Sequence, residues 1–499
     1  MQHRRKASSE ADTSVKEQAD GSLVKAPANK TITKPSSRNA IDLHFRELYS
    51  TPPDFKELSR LDPEFAAVFV AHFQHCAKGR DVDFRNPKSV MQLTKTLLKL
   101  DFGIKLELPD DRLCPPVPNR HSYILWLKDL LDTSSYNEPG RKLTGMDIGT
   151  GASCIYPLLG CAQRPWSFIA TGTSESLSSM PYLDLAHALA DIDPESLKWA
   201  KRNVEINDLS SRVNVVARST GSSLIPLDEL ALDSIDFTMT NPPFYRSEEE
   251  LLSSAKRKQR PPYTACTGSK AEMVTPGGEL AFVVCILKES CVLRARIQWY
   301  SAMFGFLSNL VDFIEQLRSS GIENYAVTEF VQGNKTRRWA IAWSFQPMRP
   351  AQHVARGTRS ALSKNILPCV TEAEVMSVEI PESIGEFASK ITAAIESLDL
   401  ISWDWDTQAY EGTGRAVDKV WARPWRRRKK REQKTPDEST ESLISKSDPM
   451  CMFGFKVWIR VSMKEVLVGC RWTEGFDAKA FESFQGFLQS TAAAAANVK

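Results

Sequence analysis

Asn241-Pro242-Pro243-Phe244 is a string of residues that can do chemistry on a flat nitrogen. An exocyclic ring amine such as adenine N6 has two N–H donors and a lone pair delocalised into the ring. Methylating it requires acceptors for the hydrogens and a lone pair turned towards an electrophilic methyl group. The Asn241 side-chain oxygen and the Pro242 carbonyl can both accept. Pro243 stiffens the turn, and Phe244 offers a face on which a base can stack. The string follows a strand-like segment, residues 234–239, and open α/β sheets bind ligands at the carboxyl ends of their strands. A plain Asn-Pro turn followed by a core phenylalanine would also produce these letters.

A second constellation lies upstream. Met146-Asp147-Ile148-Gly149-Thr150-Gly151-Ala152 reads as the end of a strand running into a helix. Its glycines let backbone approach a ligand, and the helix start offers free N–H donors. Asp147, Gly149, Gly151 and Ser153 are candidate cofactor contacts. With only two glycines, this is not the full dinucleotide fingerprint. The next strand, Phe168-Ile169-Ala170-Thr171, is separated from Asp191-Ile192-Asp193 by residues 172–190. Deleting that stretch would restore a conventional acidic strand end, so it reads as a surface insertion or an unspliced intron. Asp191 is the candidate ribose ligand.

These residues need an α/β scaffold. Strands are predicted at 143–148, 167–171, 213–217, 235–240, 297–304, 325–331 and 339–345, the last two as a hairpin, with crossover helices at 198–207 and 279–293. Alternation of strand and helix implies a mostly parallel, Rossmann-like sheet of seven strands. Residues 1–38 read as a disordered basic and polar tail. Residues 39–141 read as a helical part preceding the 142–349 core, with an extended connector at 113–118. Residues 350–499 read as an accessory α+β domain split by a basic flexible loop at about 423–449, with a closing helix at 478–489 and an uninformative alanine run.

Charge is nearly balanced, at +3 in 499 residues, so nucleic-acid affinity must come from local clusters. Lys256 and Arg257 lie in a long loop after Phe244, Arg337 and Arg338 follow a hairpin turn, and Arg426, Arg427, Arg428, Lys429 and Lys430 form the densest run. That run fits RNA backbone, nuclear import or both. No apolar run reaches membrane-spanning length and no signal-peptide core is present. A soluble intracellular protein, nuclear and in part cytoplasmic, is expected. The ten cysteines are scattered without a Cys-x-x-Cys pair, which suggests buried thiols in a reducing compartment. His72, His75 and Cys76 lack a second ligand pair, so no metal is expected.

The glycine turn combined with Asn-Pro-Pro-Phe resembles class I S-adenosylmethionine-dependent methyltransferases. Longer strings narrow this: DIGTGASCIYPLLG from Asp147, PGGEL from Pro276, WYS from Trp299 and RWAIAWSF from Arg338, together with Asp101-Phe102-Gly103 and Val117-Pro118-Asn119-Arg120. In this order they resemble the U6 small nuclear RNA N6-adenosine methyltransferase family over about residues 50–345. The resemblance implies methyl transfer from S-adenosylmethionine to an adenosine in structured RNA, U6 small nuclear RNA foremost. It implies Arg120 at the cofactor's carboxylate, Gly149 and Ser153 at its amino-acid end, Asp191 at its ribose and Asn241 at the target amine. Ser223, with Ser222 behind it, is the candidate in a loop that matches the family's gating loop by position. Lys78-Gly79 stands where the family has an asparagine before the glycine. Two rivals remain: a glutamine N5-methyltransferase acting on a translation factor, and a non-catalytic RNA-binding protein that senses the cofactor.

Overall fold

The structure, a computed structural model, describes residues 37–73, 82–173, 194–219, 221–257, 270–332, 336–357, 362–432 and 450–496. The described chain opens with helices α1 (Ser37–Glu47), α2 (Phe55–Leu61), α3 (Pro63–Phe73), α4 (Pro87–Phe102) and α5 (Val117–Thr133). Their starts follow local chemistry. Asp54 accepts from the Lys56 and Glu57 amides at 2.9 and 3.4 Å, and Asn86 accepts from Lys88 at 3.0 Å, which satisfies first-turn donors that lack a helical partner. Asp62, just before α3, is buried, and accepts from Thr96 Oγ1 at 2.5 Å and Lys99 Nζ at 3.2 Å, fastening α3 to α4. The expected extended connector at 113–118 ends earlier: α5 begins at Val117 with Pro118 in its first turn. Proline has no N–H to lose there, and the early start puts Arg120 at the head of the helix.

The core follows as β1 (Thr144–Ile148), α6 (Ile155–Gln163), β2 (Ser167–Thr173), α7 (Pro194–Glu205), β3 (Val213–Arg218) and β4 (Ile235–Thr240). Then come α8 (Glu248–Arg257), α9 (Lys270–Met273), α10 (Gly278–Leu293), β5 (Ile297–Phe304), α11 (Leu307–Ser319), β6 (Tyr325–Gln332) and β7 (Thr336–Trp343). They form a seven-stranded sheet in the order β3-β2-β1-β4-β5-β7-β6, parallel except for β7, which is antiparallel to both neighbours. Strand order reverses between β1 and β4, where a crevice opens at the strands' carboxyl ends. β2 runs two residues into the supposed insertion, pairing Gly172 with Ala217 and Thr173 with Arg218; residues 174–190 lie outside the described residues. β7 begins at Thr336, three residues before the expected start, so Arg337 and Arg338 are strand residues.

Both faces of the sheet are covered. Tyr123, Leu127 and Leu158 of α5 and α6 pack on Phe168, Phe237 and Met239. On the other face Phe282 and Val283 of α10 and Phe313 of α11 pack with Met146 and Ile148. A β-carbon at position 145 would overlap the Phe237 ring, so glycine is required in the middle of β1.

The C-terminal part comprises α12 (Gln352–Arg356), β8 (Glu372–Glu379), α13 (Ile384–Glu396), β9 (Ser402–Asp406), β10 (Glu411–Ala416), α14 (Arg423–Glu432), β11 (Phe453–Val461), β12 (Glu465–Glu474) and α15 (Ala478–Ala495). Its antiparallel sheet has the order β8-β12-β11-β10-β9. Two expectations change here. The basic run is the helix α14, not a loop: arginine and lysine are good helix formers, and Trp425 packs against the core of this part. Residues 433–449 lie outside the described residues. The alanine run is structural as well, since α15 continues to Ala495 and buries Ala492 and Ala495.

Asn203 ties this frame to the crevice. It is fully buried, donates to Glu107 O at 2.9 Å and Ala152 O at 3.1 Å, and accepts from Glu107 N at 2.8 Å. Replacing it with alanine orphans three backbone groups, each costing about 1–3 kcal/mol when buried without a partner. Asn203→Ala should lower stability by at least about 2 kcal/mol, read as a fall in the urea midpoint; an unchanged midpoint would remove Asn203 from this role.

Candidate active site

The crevice at the ends of β1 and β4 encloses about 910 Å³, including open solvent at its mouth. One wall is the turn after β1. Gly149 and Gly151 have φ of +76° and +62°, the left-handed region that glycine enters without penalty. The amides of Gly149 and Thr150 both donate to Thr171 O, at 3.1 and 2.9 Å. Thr150 Oγ1 donates to Asp147 Oδ2 at 2.7 Å. Gly149, Gly151 and Ser153 line the crevice, whereas Asp147 stands behind its wall. Asp147 is buried, with Oδ1 unpartnered among the described residues. Burial pushes its carboxyl up to about 7, against the pull of Thr150 and Arg120. Asp147 therefore holds the turn rather than facing a ligand.

Arg120 crosses the crevice from α5. It is buried, lies 5.5 Å from the Tyr156 ring centroid, and reaches Asn241 Oδ1 at 3.5 Å and Met303 Sδ at 3.7 Å. No ion pair with it is seen among the described residues. A buried guanidinium without a carboxylate calls for an anionic ligand. Asn241, whose side-chain oxygen accepts that contact, lines the crevice, as do Pro242 and Pro243.

Phe244 departs from expectation. It does not line the crevice. The Arg338 guanidinium lies 5.0 Å from its ring centroid, and a β-carbon on Gly305 would stand 2.9 Å from its Cδ1. The loop is braced from behind: Tyr245 N donates to Met273 O at 3.1 Å and Thr275 N to Tyr245 O at 2.9 Å. Downstream, the buried Glu279 accepts from Gly305 N at 2.7 Å, Phe306 N at 3.0 Å and Asn309 Nδ2 at 2.9 Å. Burial raises its carboxyl to about 7, and these donors pull it back.

Opposite, Ser222, Ser223 and Leu224 line the crevice. Glu289 of α10 accepts from the Leu224 and Ile225 amides at 2.8 and 2.9 Å. Arg218 pairs with Glu229 through contacts of 2.6 and 2.7 Å, and Ser223 Oγ donates to Glu229 at 3.3 Å. Leu113, Tyr156 and Glu272 also line the crevice. None was singled out from sequence as a site residue: Tyr156 falls within the DIGTGASCIYPLLG string and Leu113 within the 113–118 connector, but neither side chain, nor that of Glu272, carries a local signal that it faces the crevice.

The remaining predicted residues are dispersed. Asp191, His75 and Cys76 lie outside the described residues. Lys256 and Arg257 are not in a loop but end the helix α8, a helix that the acid-rich run from Glu248 starts favourably; their side chains lie outside the description. Arg337 is paired with Glu329 at 2.9 Å. On α14, Arg426 and Arg427 are exposed, and Lys430 is exposed on the same helix. Arg428 lies 4.3 Å from the Trp425 ring centroid and Lys429 pairs with Asp399 at 2.5 Å.

Known proteins place this site in context. A family model described as RNA methyltransferase matches residues 37–185 and 183–347, its two pieces meeting inside the 172–190 stretch. The U6 small nuclear RNA (adenine-(43)-N(6))-methyltransferase of Schizosaccharomyces pombe is 34% identical over 411 residues, 82% of this chain and 95% of that protein. Human RNA N(6)-adenosine-methyltransferase METTL16 is 37% identical over 315 residues, 61% of this chain and 50% of its own length, so the chain spans about half of that relative. The crystal structure of the hMettl16 catalytic domain in complex with MAT2A 3′UTR hairpin 1 superposes with a TM-score of 0.50 at 38% identity, over 59% of this chain and 92% of that one. The seven-stranded sheet is thus a class I methyltransferase sheet. With the crevice, the glycine turn and the Asn-Pro-Pro-Phe loop all inside the matched region, the chain belongs to the RNA methyltransferase family.

Proposed function

We propose that this protein transfers a methyl group from S-adenosylmethionine to N6 of an adenosine in structured RNA, with U6 small nuclear RNA as the substrate. The observation that carries this reading is Asn241, which lines the crevice beside the Gly149–Gly151 turn with its side-chain oxygen held by Arg120. The Schizosaccharomyces pombe and human relatives, named for this reaction on RNA, support it.

The residues present fit the donor. Arg120 has the buried, unneutralised charge that an amino-acid carboxylate would answer. The glycine turn leaves room for close backbone approach, Ser153 adds a hydroxyl, and the Ser223 wall closes the other side. Asp191 would take the ribose hydroxyls. When bound, the donor supplies an electrophilic methyl group on a sulfonium. The chain supplies position: the Asn241 side chain and the Pro242 carbonyl accept the two N6 hydrogens and hold the amine so that its lone pair faces the methyl. Adenine N6 becomes acidic as it is alkylated, so its surplus proton leaves to water and no side-chain base is needed.

Phe244 stacks the target base only after Arg338 leaves its ring. A guanidinium that quits an aromatic face beside an RNA duplex finds a phosphate, so base entry and backbone capture exchange one partner for another. Lys256, Arg257 and the exposed arginines of α14 add sequence-independent grip. The α14 run also serves as a nuclear import signal.

Asn241→Ala should cut the single-turnover methylation rate on a U6 hairpin by about 100-fold or more, because positioning of the amine is lost. Its affinity for S-adenosylhomocysteine should stay within about threefold. Undiminished methylation would refute the assignment. Arg120→Ala should instead weaken S-adenosylhomocysteine binding by about 10- to 100-fold, the worth of a charge-assisted hydrogen bond. Calorimetry reads this directly, and unaltered affinity would mean that Arg120 faces something other than the donor.

A further inference from the structure

Phe306 is an aromatic residue at a position where a helix start favours something else. It is the N-cap residue of α11, and its side chain makes no capping hydrogen bond. Serine, threonine, aspartate and asparagine are preferred there because their side-chain oxygens accept a first-turn amide. Phe306 instead keeps 37% of its surface in solvent, and Leu307 after it keeps 38%. One exposed apolar residue is ordinary on any surface. A ring that forgoes a cap in order to stand in water breaks a local rule of the fold, and such breaks gather at functional sites.

Its location joins it to the substrate loop. β5 lies beside β4 and parallel to it, so Phe306, two residues past the end of β5, emerges at the same edge of the sheet as Asn241. Gly305 next to it lies against the Phe244 ring. The Phe306 ring meets that of Tyr245 edge to face, with centroids 6.1 Å apart and planes at 75°. Tyr245 is itself only partly buried. Both backbones are pinned: Phe306 N donates to Glu279 at 3.0 Å, and Tyr245 N and O bond to Met273 O and Thr275 N. Phe306 and Tyr245 thus form a firmly held, partly exposed aromatic step directly beside Phe244.

We propose that Phe306, backed by Tyr245, stacks a base that flanks the target adenosine. This rests on the reading that the crevice methylates an adenosine of structured RNA. An adenine that enters the crevice must leave the stack of its own strand, and its neighbour then loses cover on one face. An aromatic ring just outside the slot covers that face again, whichever base presents it. The step therefore opposes the return of the adenine to its stack. It also favours RNA whose target lies in an unpaired stretch, where the flanking base is free to turn. No bond is made or broken at Phe306; it is a specificity residue that touches the neighbour of the reacting nucleotide.

The test crosses protein variants with RNA variants and reads binding by fluorescence anisotropy. Three U6 hairpins are compared: intact, abasic immediately 5′ of the target adenosine, and abasic immediately 3′ of it. One abasic hairpin should bind the wild-type protein about fivefold or more weakly, the worth of one base stacked on an aromatic ring. Phe306→Ser should weaken the intact hairpin by a similar factor, and the same abasic change should then weaken binding by about twofold or less. Serine can cap α11, so the urea midpoint of this variant should hold or rise. Phe306→Trp, which keeps a stacking face, should retain the abasic penalty. A merely structural role would weaken Phe306→Ser on all three hairpins alike and leave that penalty at its wild-type size, and this result would overturn the proposal. So would a wild-type protein indifferent to both abasic positions. If the wild-type protein neither binds nor methylates the intact hairpin, the functional reading falls and takes the role of Phe306 with it.

Discussion

The buried Glu279 carboxylate is the interaction on which the shape of the substrate loop depends. It is the second residue of α10 and collects three donors: the two backbone amides that follow β5 and the Asn309 side-chain amide at the start of α11. Burying a carboxylate costs several kcal/mol unless hydrogen bonds compensate, and here all three donors come from residues 305–309, which must be held against the start of α10. The convergence brings Gly305 against the Phe244 ring, where only a glycine leaves room. The same helix start, Gly277-Gly278, follows the short bridge that holds Tyr245. Asn241 is therefore positioned from below by β4 and from behind by a carboxylate 38 residues further along the chain.

Phe244 and Arg338 show what such a braced loop can do. Burial disfavours the charge on Arg338, as does neighbouring Arg120, while Glu279 favours it. The guanidinium thus rests on the ring with its charge only partly answered. On the proposed reading an RNA phosphate is a better partner for it than an aromatic face, and its departure would free that face for adenine.

Much of this was legible in the sequence, for reasons that also mark where legibility stops. The parallel strands are short apolar runs bounded by turns, a pattern set by burial on both faces, and the glycine turn and Asn-Pro-Pro-Phe are local strings whose chemistry does not need a partner. Arg120 came from family resemblance, and the structure adds the reason for its reach: α5 begins at Val117. What could not be read was tertiary. That Arg338 would cover Phe244 depends on how β7 lies beside β5. That Asp147 would stand behind the wall depends on which way one strand residue faces. By charge the α14 run reads as a loop, although Trp425 marks a face with something to bury. The alanine run has no pattern to read, yet small side chains suit a helix that packs closely on a sheet.

The C-terminal part is joined to the catalytic body by bonds of the kind that resist relative motion. Arg349 is buried, stacks 4.1 Å from the Trp472 ring centroid and donates to Gly475 O at 2.9 Å. Arg471 of β12 donates to Thr133 O at the end of α5 at 2.5 Å. Tyr136 donates to Glu474 at 3.0 Å, and the same carboxylate accepts from Arg415 at 3.1 Å. Buried guanidiniums and carboxylates shared in this way are costly to separate, because opening the joint leaves charges unpaired in a dry place. The basic helix α14 belongs to the part fixed by this joint. Its exposed arginines then stand at a set place relative to the Asn241 crevice, so they can act as a ruler as well as an electrostatic lure. On the proposed reading, phosphate contacts made from such a fixed frame would carry no base information, yet would set which nucleotide of a folded RNA reaches the crevice.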